Sequence, residues 1–450
     1  MPDVSVSVVP MLDCSASMYS AMPLVIIDGK AFVRSARPGD QIGVVEFQTT
    51  AAMLYPSTTT LETVDPGTTV TLAAAAKIGT LSSAGGTNMA GAVGIATTLL
   101  GQATNQTRAY MMLSDGEWNA GGNPAPSLSA SYPIYVCGLG QYINRSMVSS
   151  MLTKNAASEY VPSPFAWEMM KVFNTIRGLA ADAAVVNNNL SKYAGTDYSL
   201  MPMTITPSTD ECQFTVVFSS TQYSYTSSPV PDASHISIRL IDPSGAMTSL
   251  QPVIAEPGYA IFNLQAPQPG TWRVLSQYAV GNPIYSTAAG FEFNTITKLS
   301  LDVQPVAAPG ESVEIKAHLV EGDAPIENAK VWARVGAPRF ELGDLLDENA
   351  EAIDKHLAGE GESEDGHGIP ARVEALRKLL VERQPGVDPF PRGSSYRLLE
   401  QAEDGSYVAD LGPTPYSGPH TVEVFASGEE PSSKAPFRRT MQAGVAVGAD

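Results

Sequence analysis

Residues Val4 to Met18 read V-S-V-S-V-V-P-M-L-D-C-S-A-S-M. The first nine are Val-rich, uncharged and broken only by small serines, which predicts a strand buried on both faces of a parallel sheet. Directly after it, Asp13, Ser15 and Ser17 place three oxygen-bearing side chains at alternate positions. They are open to three readings: a helix cap, a nucleophile site or a metal cradle. Partners elsewhere in the chain decide among them.

Outward from this stretch, strands and helices alternate. A helical stretch from about Pro23 to Ala36 leads through a turn at Arg37–Asp40 to a strand at Gln41–Phe47. Further helices are predicted at Val70–Leu81, Met89–Leu100, Asn144–Leu152 and Phe165–Ala180, with strands at Ala109–Leu113 and Ile134–Cys137. This alternation predicts a doubly wound, mainly parallel α/β sheet over residues 1–182, with its ligand site beyond the carboxyl ends of the strands.

The pattern changes after Ala181. The run D-A-A-V-V-N-N-N-L (182–190) reads as a connector. Short strands separated by turns such as D-P-S-G (242–245) and P-Q-P-G (267–270) then predict a β-sandwich over residues 183–297. A second sandwich, fibronectin type III or immunoglobulin-like, is expected over 298–450. It is interrupted at about 340–385 by an acidic helical insertion. Residues 340–384 hold 12 acidic and 5 basic side chains. Helical spacing surrounds Leu345 and runs from Val373 to Leu380, with G-E-G-E-S-E-D-G-H-G (359–368) between. A solvated charged excursion is the plainer reading of this insertion, and a partner-binding element the alternative. The expected fold class is thus α/β plus all-β.

The 450 residues carry a net charge of −19, of which −12 falls in residues 297–450. An acidic chain without a basic stripe argues against nucleic acid and anionic membrane as partners. No apolar run approaches the roughly 18 residues of a membrane span. Cys14, Cys137 and Cys212 are too few and too scattered for a disulfide framework or a zinc site. Met1 leads almost at once into a strand, so the expected location is cytoplasmic as written, or extracellular if the chain is a mature or truncated form.

Two further stretches give the opening motif its partners. A-G-G-T-N-M puts Thr87 in a Gly-rich loop before a helix, and M-L-S-D-G-E-W-N puts Asp115 just after a strand. Alone, Thr87 reads as a cap and Asp115 as a turn residue. In a doubly wound sheet all three loops can meet at one edge, collecting two carboxylates and three hydroxyls. These are hard oxygen donors suited to Mg²⁺ or Mn²⁺. If the hydroxyls bind directly and the carboxylates largely through water, the ion stays electrophilic and keeps a position for a partner's Asp or Glu. An enzymatic reading has less support. There is no G-x-S-x-G elbow, P-loop or dinucleotide-binding glycine motif. Cys14 has no His in residues 1–234 to act as its base.

D-x-S-x-S, then G-G-T-N, then a strand followed by S-D-G resembles the von Willebrand factor A domain with its metal-ion-dependent adhesion site (MIDAS). R-P-G-D-Q-I-G-V-V-E-F and Y-P-I-Y-V-C-G-L-G look like further strands of that domain. The resemblance implies that Ser15, Ser17 and Thr87 bind the ion directly, and Asp13 and Asp115 directly or through water. The ion expected is Mg²⁺, or Mn²⁺ or Ca²⁺. Tyr19, Glu117 and Trp118 would sit on the rim, Trp118 either as a partner anchor or tucked under a loop. I-S-I-R-L-I-D-P-S-G with F-N-L-Q-A-P-Q-P-G-T-W-R-V, and later E-D-G-S-Y-V-A-D-L with G-P-H-T-V-E-V-F-A-S-G, resemble the C-terminal part of calcium-activated chloride channel regulator (CLCA) proteins. Those proteins usually carry a metallopeptidase domain with H-E-x-x-H. His235, His318, His356, His367 and His420 form no such motif, so peptidase activity does not carry over. The implied function is non-enzymatic: an adhesion or protein–protein interaction module that binds a partner's Asp or Glu through the cation. The alternative is an intracellular assembly factor working with a MoxR-type AAA+ ATPase.

Overall fold

The charge-free run at the start forms β1 (Val6–Asp13), and every residue of it is buried. The computed structural model describes residues 5–116, 118–142, 144–359, 369–383 and 390–448. With β1, an eight-stranded sheet contains β2 (Gln41–Ile42), β3 (Val44–Phe47), β4 (Ala51–Tyr55), β5 (Glu62–Thr63), β6 (Thr107–Ser114), β7 (Ile134–Leu139) and β8 (Glu159–Ser163). Its main path runs β4-β3-β1-β6-β7-β8. All neighbours along it are parallel except β3 and β4. β4 and β8 were not expected from the sequence. A-A-M-L-Y is rich in helix formers and E-Y-V-P-S holds a proline, so neither carries a strand signal of its own.

Five helices flank this sheet: α1 (Met22–Arg34), α2 (Thr69–Ile78), α3 (Met89–Gly101), α4 (Arg145–Leu152) and α5 (Met169–Ala180). Val6, Val8 and Leu12 of β1 pack with α1, α2 and α5, while Val9 and Met11 pack with α3 and α4. Alternate residues thus feed two separate cores, which is why β1 shows no polar alternation.

From Ala184 the chain is strand-rich. β9 (Ala184–Ile205) pairs antiparallel with Gly270–Phe293 over most of its length. The stretch expected to be a connector is therefore the start of a long strand. Asn187, Asn188 and Asn189 sit in the ladder opposite Gly290, Ala289 and Ala288. Asn188 Nδ2 also donates to Lys171 O at 2.7 Å and to Thr175 Oγ1 at 3.1 Å, both on α5. That tertiary partner overrides the turn preference of asparagine. Seven strands here form one sheet around Phe214, Phe262 and Trp272.

Two five-stranded sheets follow, and they share one core. Leu299 and Ile315 of one sheet meet Val331, Val424 and Val445 of the other. Helices α6 (Leu342–Glu348), α7 (Ala350–Gly359) and α8 (Ile369–Arg383) form a further apolar cluster, against which Tyr142 and Phe165 of the first sheet's loops pack. The acidic stretch 360–368 lies outside the described residues.

These units are fused. Ile27, Ala31 and Met170 of α1 and α5 pack with Val217, Tyr259 and Ile261 of the seven-stranded sheet. Across another junction, Lys171 Nζ lies 2.5 Å from Glu423 Oε1, both buried. From the last strand, Pro436–Val447, Gln442 Nε2 donates to Pro162 O at 3.3 Å, and Ala446 enters the core of α3 and α4. Among the described residues no helix is long and apolar enough to cross a membrane.

Candidate metal centre

The loops at the carboxyl end of the sheet are latched to one another through the backbone. Cys14 N donates to Phe47 O at 2.8 Å, tying the end of β1 to the end of β3. Ala84 N donates to Cys14 O at 2.8 Å and Ala16 N to Gly85 O at 3.0 Å, joining the Gly-rich loop to the D-x-S-x-S loop. Gly85 adopts φ +67°, a left-handed conformation that favours glycine. At Gly86 a Cβ would come within 2.6 Å of Asn119 Oδ1. Asn119 is placed there because its Oδ1 accepts from Thr87 N at 2.7 Å, which brings the loop after β6 into the same lattice.

The capping explanations do not survive this geometry. Asn88 caps α3, its Oδ1 accepting from Gly91 N at 2.8 Å, and Thr87 is left to face elsewhere. Ser15 makes no side-chain cap bond to the short helical turn at Ala16–Met18, and α1 begins after Ala21. Cys14 is buried in the α1-side core, and burial with the nearby Asp13 and Glu46 carboxylates pushes its thiol up to about 12. That is the opposite of an activated nucleophile.

The oxygens are arranged as follows. Asp13 is fully buried; its Oδ1 accepts from Ser15 N at 2.9 Å and its Oδ2 from Ser114 Oγ at 2.7 Å. Burial pushes the Asp13 carboxyl up to about 6, against the lowering effect of the bonds from Ser114 and Ser15. Ser15 Oγ and Ser17 Oγ are 3.1 Å apart. Thr87 is buried and Asp115 half-buried. Adjacent ligands of an octahedral Mg²⁺ at 2.0–2.1 Å stand about 3 Å apart, so the serine pair is spaced as two such ligands. A buried carboxylate whose charge burial disfavours also gains from a cation beside it. The residues therefore fit a small hard cation, with hydroxyls outnumbering carboxylates. Among the described residues no three His, Cys, Asp or Glu side chains converge as a metal cluster, so a cation here would depend on Ser and Thr oxygens.

On the rim, Tyr19 is 77% exposed, whereas Trp118 is half-buried against the α3-side core. Glu117 lies outside the described residues. Three residues here were not singled out by sequence: Ser114 holding Asp13, Asn119 holding Thr87, and Gln141 in the neighbouring loop. Ser114 and Asn119 stand inside the quoted M-L-S-D-G-E-W-N stretch, but nothing local marks their partners.

Residues 8–117 match the family model of the von Willebrand factor type A domain. Among solved structures, the chain is similar to a von Willebrand factor type A protein from Catenulispora acidiphila, at 15% identity and TM-score 0.36, covering 84% of this chain and 79% of that one. It is also similar to proximal thread matrix protein 1 from the mussel byssus with a zinc-occupied MIDAS motif, at 14% identity and TM-score 0.33, covering 43% and 50%. A third is the von Willebrand factor domain of the type V pili tip protein Mfa5 from Porphyromonas gingivalis, at 25% identity and TM-score 0.23, covering 26% and 39%. The chain thus spans half or less of the last two. No curated protein matches it. The parallel sheet, the loops latched at its carboxyl edge and the family match together identify the N-terminal part of the chain as a von Willebrand factor type A domain.

Proposed function

We propose that Ser15, Ser17 and Thr87 hold a divalent cation directly, with Asp13 and Asp115 doing so directly or through water. Mg²⁺ is the first choice, with Mn²⁺ and Ca²⁺ as substitutes. In this reading the protein is a non-enzymatic interaction module, and the cation supplies an electrophilic position for the Asp or Glu of a partner protein. The observation that carries it is the 3.1 Å spacing of Ser15 Oγ and Ser17 Oγ beside a buried Asp13. Supporting it, the backbone latches fix the loops before any ligand arrives, which reduces the ordering cost of binding. We read the strand-rich remainder, with its resemblance to CLCA proteins, as a rigid mount for this domain.

The test is capture of partners by the full chain in Mg²⁺ and in EDTA, beside Asp13→Ala. A partner held in Mg²⁺ and lost in the other two is expected. Equal retention in all three rejects the metal-bridged reading.

A further inference from the structure

Helix α8 stands over one side of the candidate metal face. Between them lies a cavity of about 300 Å³, with Ser17, Met18 and Asp115 on one wall and Val373, Glu374 and Arg377 of α8 on the other. Leu24, Phe165, Trp167 and Phe390 supply an apolar lining. The Phe165 and Trp167 rings stack with centroids 4.6 Å apart, which stiffens that wall. The volume sits at the low end of ligand pockets, roughly 300–1,000 Å³, so it suits a single large side chain and not a folded element.

Two polar features restrict what can enter. Glu374 and Arg377 already satisfy each other, with Arg377 Nε and Nη2 each 2.7 Å from the Glu374 carboxylate. Their charges cancel, so this pair gives the cavity no net charge to draw a second acid. Gln141, 3% exposed, also lines it. Its Nε2 donates to Pro164 O at 2.7 Å, and its Oε1, without a hydrogen-bond partner among the described residues, is itself buried, so Gln141 offers the cavity no free acceptor.

We infer that this cavity is a specificity subsite for an extended peptide: it takes a Leu or Phe side chain next to the acid that reaches the cation. The inference rests on the metal-bridged reading above. It assigns α8 to partner recognition, because Pro370, Val373, Glu374 and Arg377 form the far wall of the cavity.

The test uses N-acetylated hexapeptides with a central Asp whose neighbours are Leu, Phe, Ser or Glu, titrated by fluorescence anisotropy against the full chain in Mg²⁺. Peptides with Leu or Phe beside Asp are expected to bind at least about 10-fold tighter than those with Ser or Glu. Val373→Trp fills the cavity and should abolish that preference while leaving Mg²⁺-dependent binding of the Ser-flanked peptides. Ser20→Trp, at an exposed lining position, makes the same test without altering the core. If Mg²⁺-dependent binding occurs with no flanking preference, or with one that neither variant changes, the subsite is refuted and the metal reading stands. If the Asp-centred peptides bind alike in Mg²⁺ and in EDTA, or none binds, both are refuted.

Discussion

Ser114 shows how the site depends on a residue that touches no ligand. Its Oγ donates to Asp13 at 2.7 Å and accepts from Gly116 N at 3.1 Å, so it fixes the carboxylate and the loop after β6 together. Ser114→Ala is expected to weaken Mn²⁺ binding by about 10–100-fold, the usual loss when a supporting partner is removed, with the fold intact. Titration calorimetry with circular dichroism checks both. Asp13, Ser15 and Ser17 were singled out as candidates because oxygen-bearing side chains directly following a buried strand have few purposes. Thr87 and Asp115 were singled out by the same logic at other strand ends. Ser114 was not, since its partner lies 101 residues away and a serine after a strand is ordinary.

Among the elements, α1 and α5 depart furthest from the helices that the sequence suggests. Eleven of the twelve residues of α5 are buried, Lys171, Asn174 and Arg177 included, because the seven-stranded sheet and one of the five-stranded sheets cover the face a lone domain would expose to water. The periodicity located α5 but gave no sign of this second covering. On α1, Asp28 is buried and neither carboxylate oxygen has a hydrogen-bond partner among the described residues. Burial holds its carboxyl well above the ordinary range. The folded chain therefore keeps a proton that the unfolded chain releases near pH 4, and the stability present below that pH is lost as the pH rises. Asp28→Asn is expected to raise the melting temperature at pH 7.5, with a gain of about 1–3 kcal/mol, and to change little at pH 4. Thermal melts at the two pH values decide it. The reading of the start of β9 as a connector fails for a related reason: its Asn188 is satisfied by α5, which no local window contains.

At the scale of the molecule, the junctions are built from buried charge as well as apolar contact. Lys171 on α5 meets Glu423, and Arg334 reaches the same carboxylate at 2.6 Å. Lys171→Met leaves Glu423 buried with one cation fewer and is expected to cost about 3–5 kcal/mol in urea unfolding. Lys171→Met with Glu423→Leu should recover much of it. A second junction involves Glu159 of β8, whose carboxyl is pushed up to about 8 by burial and by Asp302. Its contribution to stability is complete below about pH 4, the carboxyl's unfolded range, and is lost as the pH rises through 8. Glu159→Gln should flatten that decline in urea midpoints measured from pH 5 to 9. Composition and strand–helix alternation revealed an α/β portion and strand-rich portions. How they lock together was not legible, because Pro162 and Gln442 are 280 residues apart and each looks ordinary where it stands. The place of Ala446 in the core beneath α3 and α4 has a consequence for biosynthesis. A ribosome delivers β1 well before this strand, so the portion born earlier must wait, with one patch unsealed, until the strand has followed it.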